Sequence, residues 1–257
     1  MHLAFADTRR SSVLVLLHGF PLSREMWASQ ISEIGKYYRV IAPDLRGHGE
    51  SSAPEGVYTM NEMADDVIEL LDRLQIKQPV IVGGLSMGGY VALSLVLRYP
   101  ERVCGLILID TRAAADTPEA AQVREETARI VLHEGSSRSV LETLVPRLFG
   151  KTTREKQPDR IEPMLSVMER TTPQGIAGAL RGMAVRPDLR GELPKIKVPT
   201  LVMVGEEDVI SPPAEAREMA SLLPSARLEV IPKAGHLTPY ENPEAANAAI
   251  LRFLEQF

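Results

Sequence analysis

Six short runs of the chain are apolar at most positions: Val13–Leu17, Arg39–Ala42, Val80–Val82, Val103–Ile109, Thr200–Val204 and Leu228–Ile231. A strand with one wet face would alternate between apolar and polar residues. Near-continuous runs instead predict short strands buried on both sides, as in a parallel sheet covered by helices. Between the runs the spacing becomes helical, most clearly in Met60–Leu74, where Met63, Val67, Leu70, Leu71 and Leu74 fall on one face. Asn242 followed by Pro243 makes an N-cap and first-turn pair for a closing helix, Pro243–Phe257. Strands alternating with helices in this way predict an α/β fold with a doubly wound, mostly parallel sheet and right-handed connections.

One segment breaks the alternation. From Ala113 to Arg190 the pattern is helical throughout, in Val123–Leu132, Val140–Leu148, Ile161–Met168 and Ile176–Met183. It lies before the last two predicted strands, so residues 1–112 and 191–257 read as the core and 113–190 as an inserted helical cap. The stripe residues Leu144, Leu148, Met164, Met168, Leu180 and Met183 either line a pocket or pack the cap onto the core.

The candidate chemistry falls where strands end. Gly84-Leu85-Ser86-Met87-Gly88 joins the strand before it to a helix-like stretch, a serine between glycines as in a nucleophile elbow. A sharp turn there lifts Ser86 Oγ above the sheet and leaves the Met87 N–H at a helix N-terminus. The strand Val13–Leu17 runs into His18-Gly19-Phe20-Pro21, a loop placed to supply a second oxyanion donor from Phe20. Asp208 follows the Thr200–Val204 strand and His236 follows the Leu228–Ile231 strand. The chain order Ser86, Asp208, His236 is nucleophile, acid, base. Asp110 also ends a strand on this edge and competes with Asp208 for the role of the acid. His18 is expected to hold its loop by hydrogen bonds, and Trp27 and Met26 either face the pocket or pack.

These segments, with Asp44-Leu45-Arg46-Gly47-His48-Gly49-Glu50-Ser51, resemble the single-domain α/β-hydrolases grouped around 3-oxoadipate enol-lactonases, bacterial carboxylesterases and cofactor-free haloperoxidases. The resemblance implies a serine hydrolase that cleaves carboxylic esters or lactones through an acyl-enzyme. Ser86, Asp208 and His236 would be its triad, and Phe20 and Met87 its oxyanion donors. His48 would sit in a structural turn. Relatives open with an antiparallel hairpin, but only Leu3-Ala4-Phe5-Ala6 is available here, so the N-terminal edge strand should be short or missing. A cofactor-free perhydrolase or haloperoxidase would use the same triad, and a triad-bearing small-molecule receptor is a third possibility. No metal or organic cofactor is implied.

The resemblance implies a small-molecule ester or lactone as the partner, and composition points to no other. The net charge of −5 gives no electrostatic footprint for nucleic acid. A single cysteine, Cys104, excludes an internal disulfide and a cysteine-built metal site. It lies in an apolar run and should behave as a small apolar residue. No stretch has the length of a membrane span, and Val13–Leu17 is too short for a secretory core, so the cytoplasm is the expected location.

Overall fold

In the computed structural model, which describes residues 1–257, each apolar run forms a strand. The strands are β1 (Phe5–Asp7), β2 (Val13–Leu17), β3 (Arg39–Pro43), β4 (Val80–Leu85), β5 (Val103–Ile109), β6 (Thr200–Gly205) and β7 (Ala226–Ile231). They make one sheet of seven strands in the order β1-β3-β2-β4-β5-β6-β7. All neighbours are parallel except β1 and β3. The N-terminal edge strand is indeed short, three residues paired antiparallel to β3.

Alternation along β2 explains why both faces must be covered. Val13, Val15 and Leu17 enter one apolar core, and Leu14 and Leu16 enter a second on the opposite face. Helix α1 spans Ala28–Ile34, α2 Met60–Arg73 and α3 Met87–Arg98. On α2, Met63, Val67, Leu70 and Leu71 are buried in the first core, and Thr59 and Glu62 close a reciprocal capping box at its start.

Between β5 and β6 come α4 (Pro118–Glu134), α5 (Arg138–Leu148), α6 (Lys151–Lys156), α7 (Ile161–Glu169) and α8 (Pro173–Ala184). Leu148, Met164 and Met168 join one core and Leu180 and Met183 the other, so these helices are continuous with the core on both sides. After β6 follow α9 (Pro213–Leu222), α10 (Thr238–Glu241) and α11 (Pro243–Leu254). Asn242 caps α11 by accepting from the Ala245 N–H at 3.2 Å. Cys104 is half-buried in β5 and is a free thiol. No helix is long and apolar enough to cross a membrane.

The chain passes from β2 outward to β3, then crosses back to β4 on the other side of β2 and winds outward from there. The loops leaving β2 and β4 therefore part at a switch point, where open α/β sheets place their ligand crevice. The residues after β5, β6 and β7 emerge on the same edge.

Candidate active site

β4 stops at Leu85 and α3 starts at Met87, leaving Ser86 alone at the junction with φ 52° and ψ −112°. A residue with a Cβ at positive φ is strained, at a cost of roughly 1–3 kcal/mol. Backbone bonds impose the conformation. The Ser86 N–H donates to the Ile109 carbonyl at 2.8 Å, and its own carbonyl accepts from Thr111 Oγ1 at 2.8 Å and Gly89 N–H at 2.9 Å. The flanking glycines are required by proximity. A Cβ on Gly84 would run into the Gly88 carbonyl, and one on Gly88 into the carbonyl of Leu17 at the end of β2.

His236 stands over this serine. Its Nε2 is 2.9 Å from Ser86 Oγ, and its Nδ1 is 2.8 Å from Asp208 Oδ2. A carboxylate only accepts, so Nδ1 carries the proton and Nε2 is free to accept from the serine hydroxyl. The other oxygen of Asp208 accepts from the N–H groups of Ile210 at 2.7 Å and Ser211 at 3.0 Å, which fixes the carboxylate plane. Asp208 and His236 are both buried, and Ser86 is partly exposed.

Asp110, the competing aspartate, is turned away from the histidine. It has φ 47°, and its oxygens accept from Gly205 N–H at 2.9 Å, Thr238 N–H at 3.0 Å and Thr238 Oγ1 at 2.9 Å. Burial, reinforced by the neighbouring Asp208, pushes its carboxyl well above the usual range. Its bonds tie the end of β6 to the residues just after His236.

The loop after β2 lies against the elbow, since a Cβ on Gly19 would meet the side chain of Leu85 and approach that of Ser86. The Phe20 N–H makes no hydrogen bond within the chain. Met87 opens α3, so its N–H has no partner in the helix. His18 holds this loop. Its Nδ1–H donates to Gly19 O at 2.9 Å and its Nε2 accepts from Leu45 N–H at 2.9 Å. Burial lowers its pKa to about 4, so the ring is neutral. His48 packs 5.1 Å from His18 in the Asp44–Ser51 turn, where burial and repulsion from His18 lower its pKa to about 3. Trp27 and Met26 are fully packed beneath the loop.

Three further contributors were assigned no role from the sequence. Thr111 supports the elbow carbonyl, as above. Glu207 accepts from Thr152 N–H at 2.6 Å and Thr152 Oγ1 at 2.5 Å, which joins the Asp208 loop to α6. Glu241 bonds the peptide groups on both sides of His236. The sequence signal for Glu241 was a lone acidic residue in an otherwise uncharged stretch from His236 to Pro243. The inserted helices also reach the first loop, where Thr171 Oγ1 donates to Pro21 O at 2.8 Å. A cleft of about 360 Å³ along α3, lined by Tyr90, Leu93, Arg112 and Arg186, contains none of Ser86, Asp208 and His236.

A mostly parallel sheet with a strand–serine–helix elbow at its centre defines the α/β-hydrolase class. The chain belongs to that family, whose alpha/beta hydrolase fold model matches residues 12–243. It is 31% identical over 244 residues to 3-oxoadipate enol-lactonase 2 of Acinetobacter baylyi, covering 95% of this chain and 89% of that protein. Among solved structures, a thermophilic esterase from Thermogutta terrifontis, determined with malate bound, is 45% identical with a TM-score of 0.97. That match covers 99% of this chain and 93% of the esterase. The enol-lactonase of Burkholderia xenovorans is 32% identical with a TM-score of 0.90, covering 98% of this chain and 96% of that one. The chain is thus a hydrolase-fold enzyme with esterase and lactonase relatives.

Proposed function

We propose that this protein hydrolyses carboxylic esters or lactones through a serine acyl-enzyme. The observation that carries the reading is the unbroken path from Asp208 Oδ2 through the His236 ring to Ser86 Oγ, with links of 2.8 and 2.9 Å. Its relatives named as an esterase and as enol-lactonases support the substrate class.

Ser86 Oγ attacks the acyl carbon while neutral His236 takes its proton on Nε2. Asp208 keeps the Nδ1–H tautomer and stabilises the imidazolium that forms. The N–H groups of Phe20 and Met87 receive the negative charge of the tetrahedral oxygen. Collapse expels the alkoxide, protonated by His236, as a free alcohol or, from a lactone, as a hydroxyl still tethered to the acyl group. Water then attacks the acyl-enzyme with His236 as base again. Residues 113–190 act as the cap that shapes the acyl pocket.

The test is proton release in a pH-stat for wild type and Ser86→Ala, on aryl esters, aliphatic esters, enol-lactones and acyl-homoserine lactones. Wild type should turn over at least one of these groups, and Ser86→Ala should lose at least roughly three orders of magnitude. A variant as fast as wild type would remove Ser86 as the nucleophile. Turnover of acetate and peroxide to peracid with no ester or lactone hydrolysis would replace this reading by a perhydrolase.

A further inference from the structure

Glu241 ends α10 and is only 4% exposed, yet both its oxygens are fully engaged. Oε1 accepts from the N–H of Gly235 at 2.9 Å and of Leu237 at 3.2 Å, the residues flanking His236. Oε2 accepts from Gly150 N–H at 2.8 Å and Thr153 Oγ1 at 2.6 Å, in the first turn of α6. The N–H of His236 itself donates to Leu148 O at 2.9 Å, just upstream of that turn. The base loop is therefore bonded to one short stretch of the inserted helices through three consecutive residues, 235, 236 and 237.

The chemistry of the partners fixes the state of the group. Three of its four donors are backbone N–H groups, which cannot accept, so the site suits a carboxylate and not a carboxylic acid. Burial alone pushes the carboxyl upward, and the hydrogen bonds from Thr153, Gly150, Leu237 and Gly235 oppose that. A carboxylate this deep is costly to place unless its oxygens are satisfied. Here the satisfied oxygens set the backbone that carries the imidazole.

We propose that Glu241 is a positioning residue for His236, locking the base loop to the first turn of α6 so that the inserted helices form part of the frame holding the imidazole against Ser86. The proposal rests on the assignment of His236 as the base. Glu241 touches neither substrate nor reacting atoms and acts through the peptide groups at Gly235 and Leu237.

The experiment compares wild type, Glu241→Gln, Thr153→Val and Ser86→Ala on one aryl ester, with kcat and KM determined separately. The proton NMR signal of His236 Nδ1–H is followed in each. Glu241→Gln keeps the shape but turns an amide NH2 toward N–H donors. Its kcat should fall about tenfold to a hundredfold with KM within about twofold, as expected for a misplaced catalytic group. The Nδ1–H signal should shift or broaden. Thr153→Val removes only the hydroxyl on the α6 side, so kcat should fall about two- to fivefold with a smaller displacement of the signal. A folded Glu241→Gln with wild-type kcat and an unmoved signal overturns the proposal. If Glu241→Gln does not fold, Thr153→Val decides: a moved signal with reduced kcat supports the proposal, and unchanged values overturn it. An inactive Ser86→Ala beside an unimpaired Glu241→Gln removes only the role of Glu241, whereas an active Ser86→Ala removes the triad itself.

Discussion

Asp110 and Asp208 end adjacent strands on the same edge, and what separates them is which donors each meets. Asp208 gives one oxygen to two backbone N–H groups and the other to His236. Asp110 has both oxygens occupied by Gly205 and Thr238. The two substitutions to asparagine should therefore fail in different ways. Asp208→Asn favours the wrong imidazole tautomer and should cost roughly 10⁴ in turnover with the fold intact. Asp110→Asn turns an amide toward donors and should mainly cost stability, on the order of 1–3 kcal/mol. Steady-state kinetics and urea midpoints on both variants separate the effects, and a reversed pattern would exchange their roles. Ser86, Asp208 and His236 were legible in the sequence because each follows an apolar run, and chain order favoured Asp208. Thr111 and Glu241 were given no role, because Thr111 acts on a carbonyl 25 positions away and Glu241 joins its near neighbours Gly235 and Leu237 to Gly150, 91 positions away. No local pattern records such a partner.

The elements differ in how far their own residues explain them. α2 is locally specified: an apolar stripe, Thr59 at its N-cap and Glu62 closing the capping box through the Thr59 N–H at 3.0 Å. Thr59→Ala should lower stability by about 1 kcal/mol without changing turnover, measured as a shifted urea midpoint at constant slope. A loss within error would mean that packing alone holds the helix start. β2 to β6 were visible as apolar runs because the sheet buries both their faces, and β7 was read from the short run Leu228–Ile231. β7 departs from the burial its run predicted, since as an edge strand it buries only its last residue, and β1 is a three-residue edge with little pattern to read. α6 had no signature at all. Lys151–Lys156 has no apolar stripe and no side-chain cap of its own, and carboxylates from Glu207 and Glu241 receive its first N–H groups. That helix is a consequence of tertiary structure.

For the whole molecule, two buried neutral histidines tie stability to pH. His18 and His48 have an ordinary pKa near 6.5, lowered mainly by burial to about 4 and about 3. Above pH 6.5 neither state binds the proton. As pH falls toward those lower values, the unfolded chain takes up protons that the folded one refuses, so stability is lost. The raised carboxyls of Asp110 and Glu241 act in the opposite direction, so the difference between two proteins is the cleaner measure. His48→Asn keeps a donor toward Arg46 O and deletes one titration. Its stability should fall less steeply than that of wild type, by up to about 1.4 kcal/mol per pH unit. Urea midpoints from about pH 4 to 7 test this, and parallel curves would contradict it. At the same scale, the inserted helices leave and rejoin the sheet at one point, where Leu189 N–H donates to Ala113 O at 2.8 Å. Inserts of different length can be exchanged at such a neck during evolution or by recombination, because closing a longer loop between fixed ends adds little entropy cost. An incoming insert must still pack onto both cores, and at one turn it must again offer the carbonyl of Leu148 and the donors of Gly150 and Thr153 to the histidine loop.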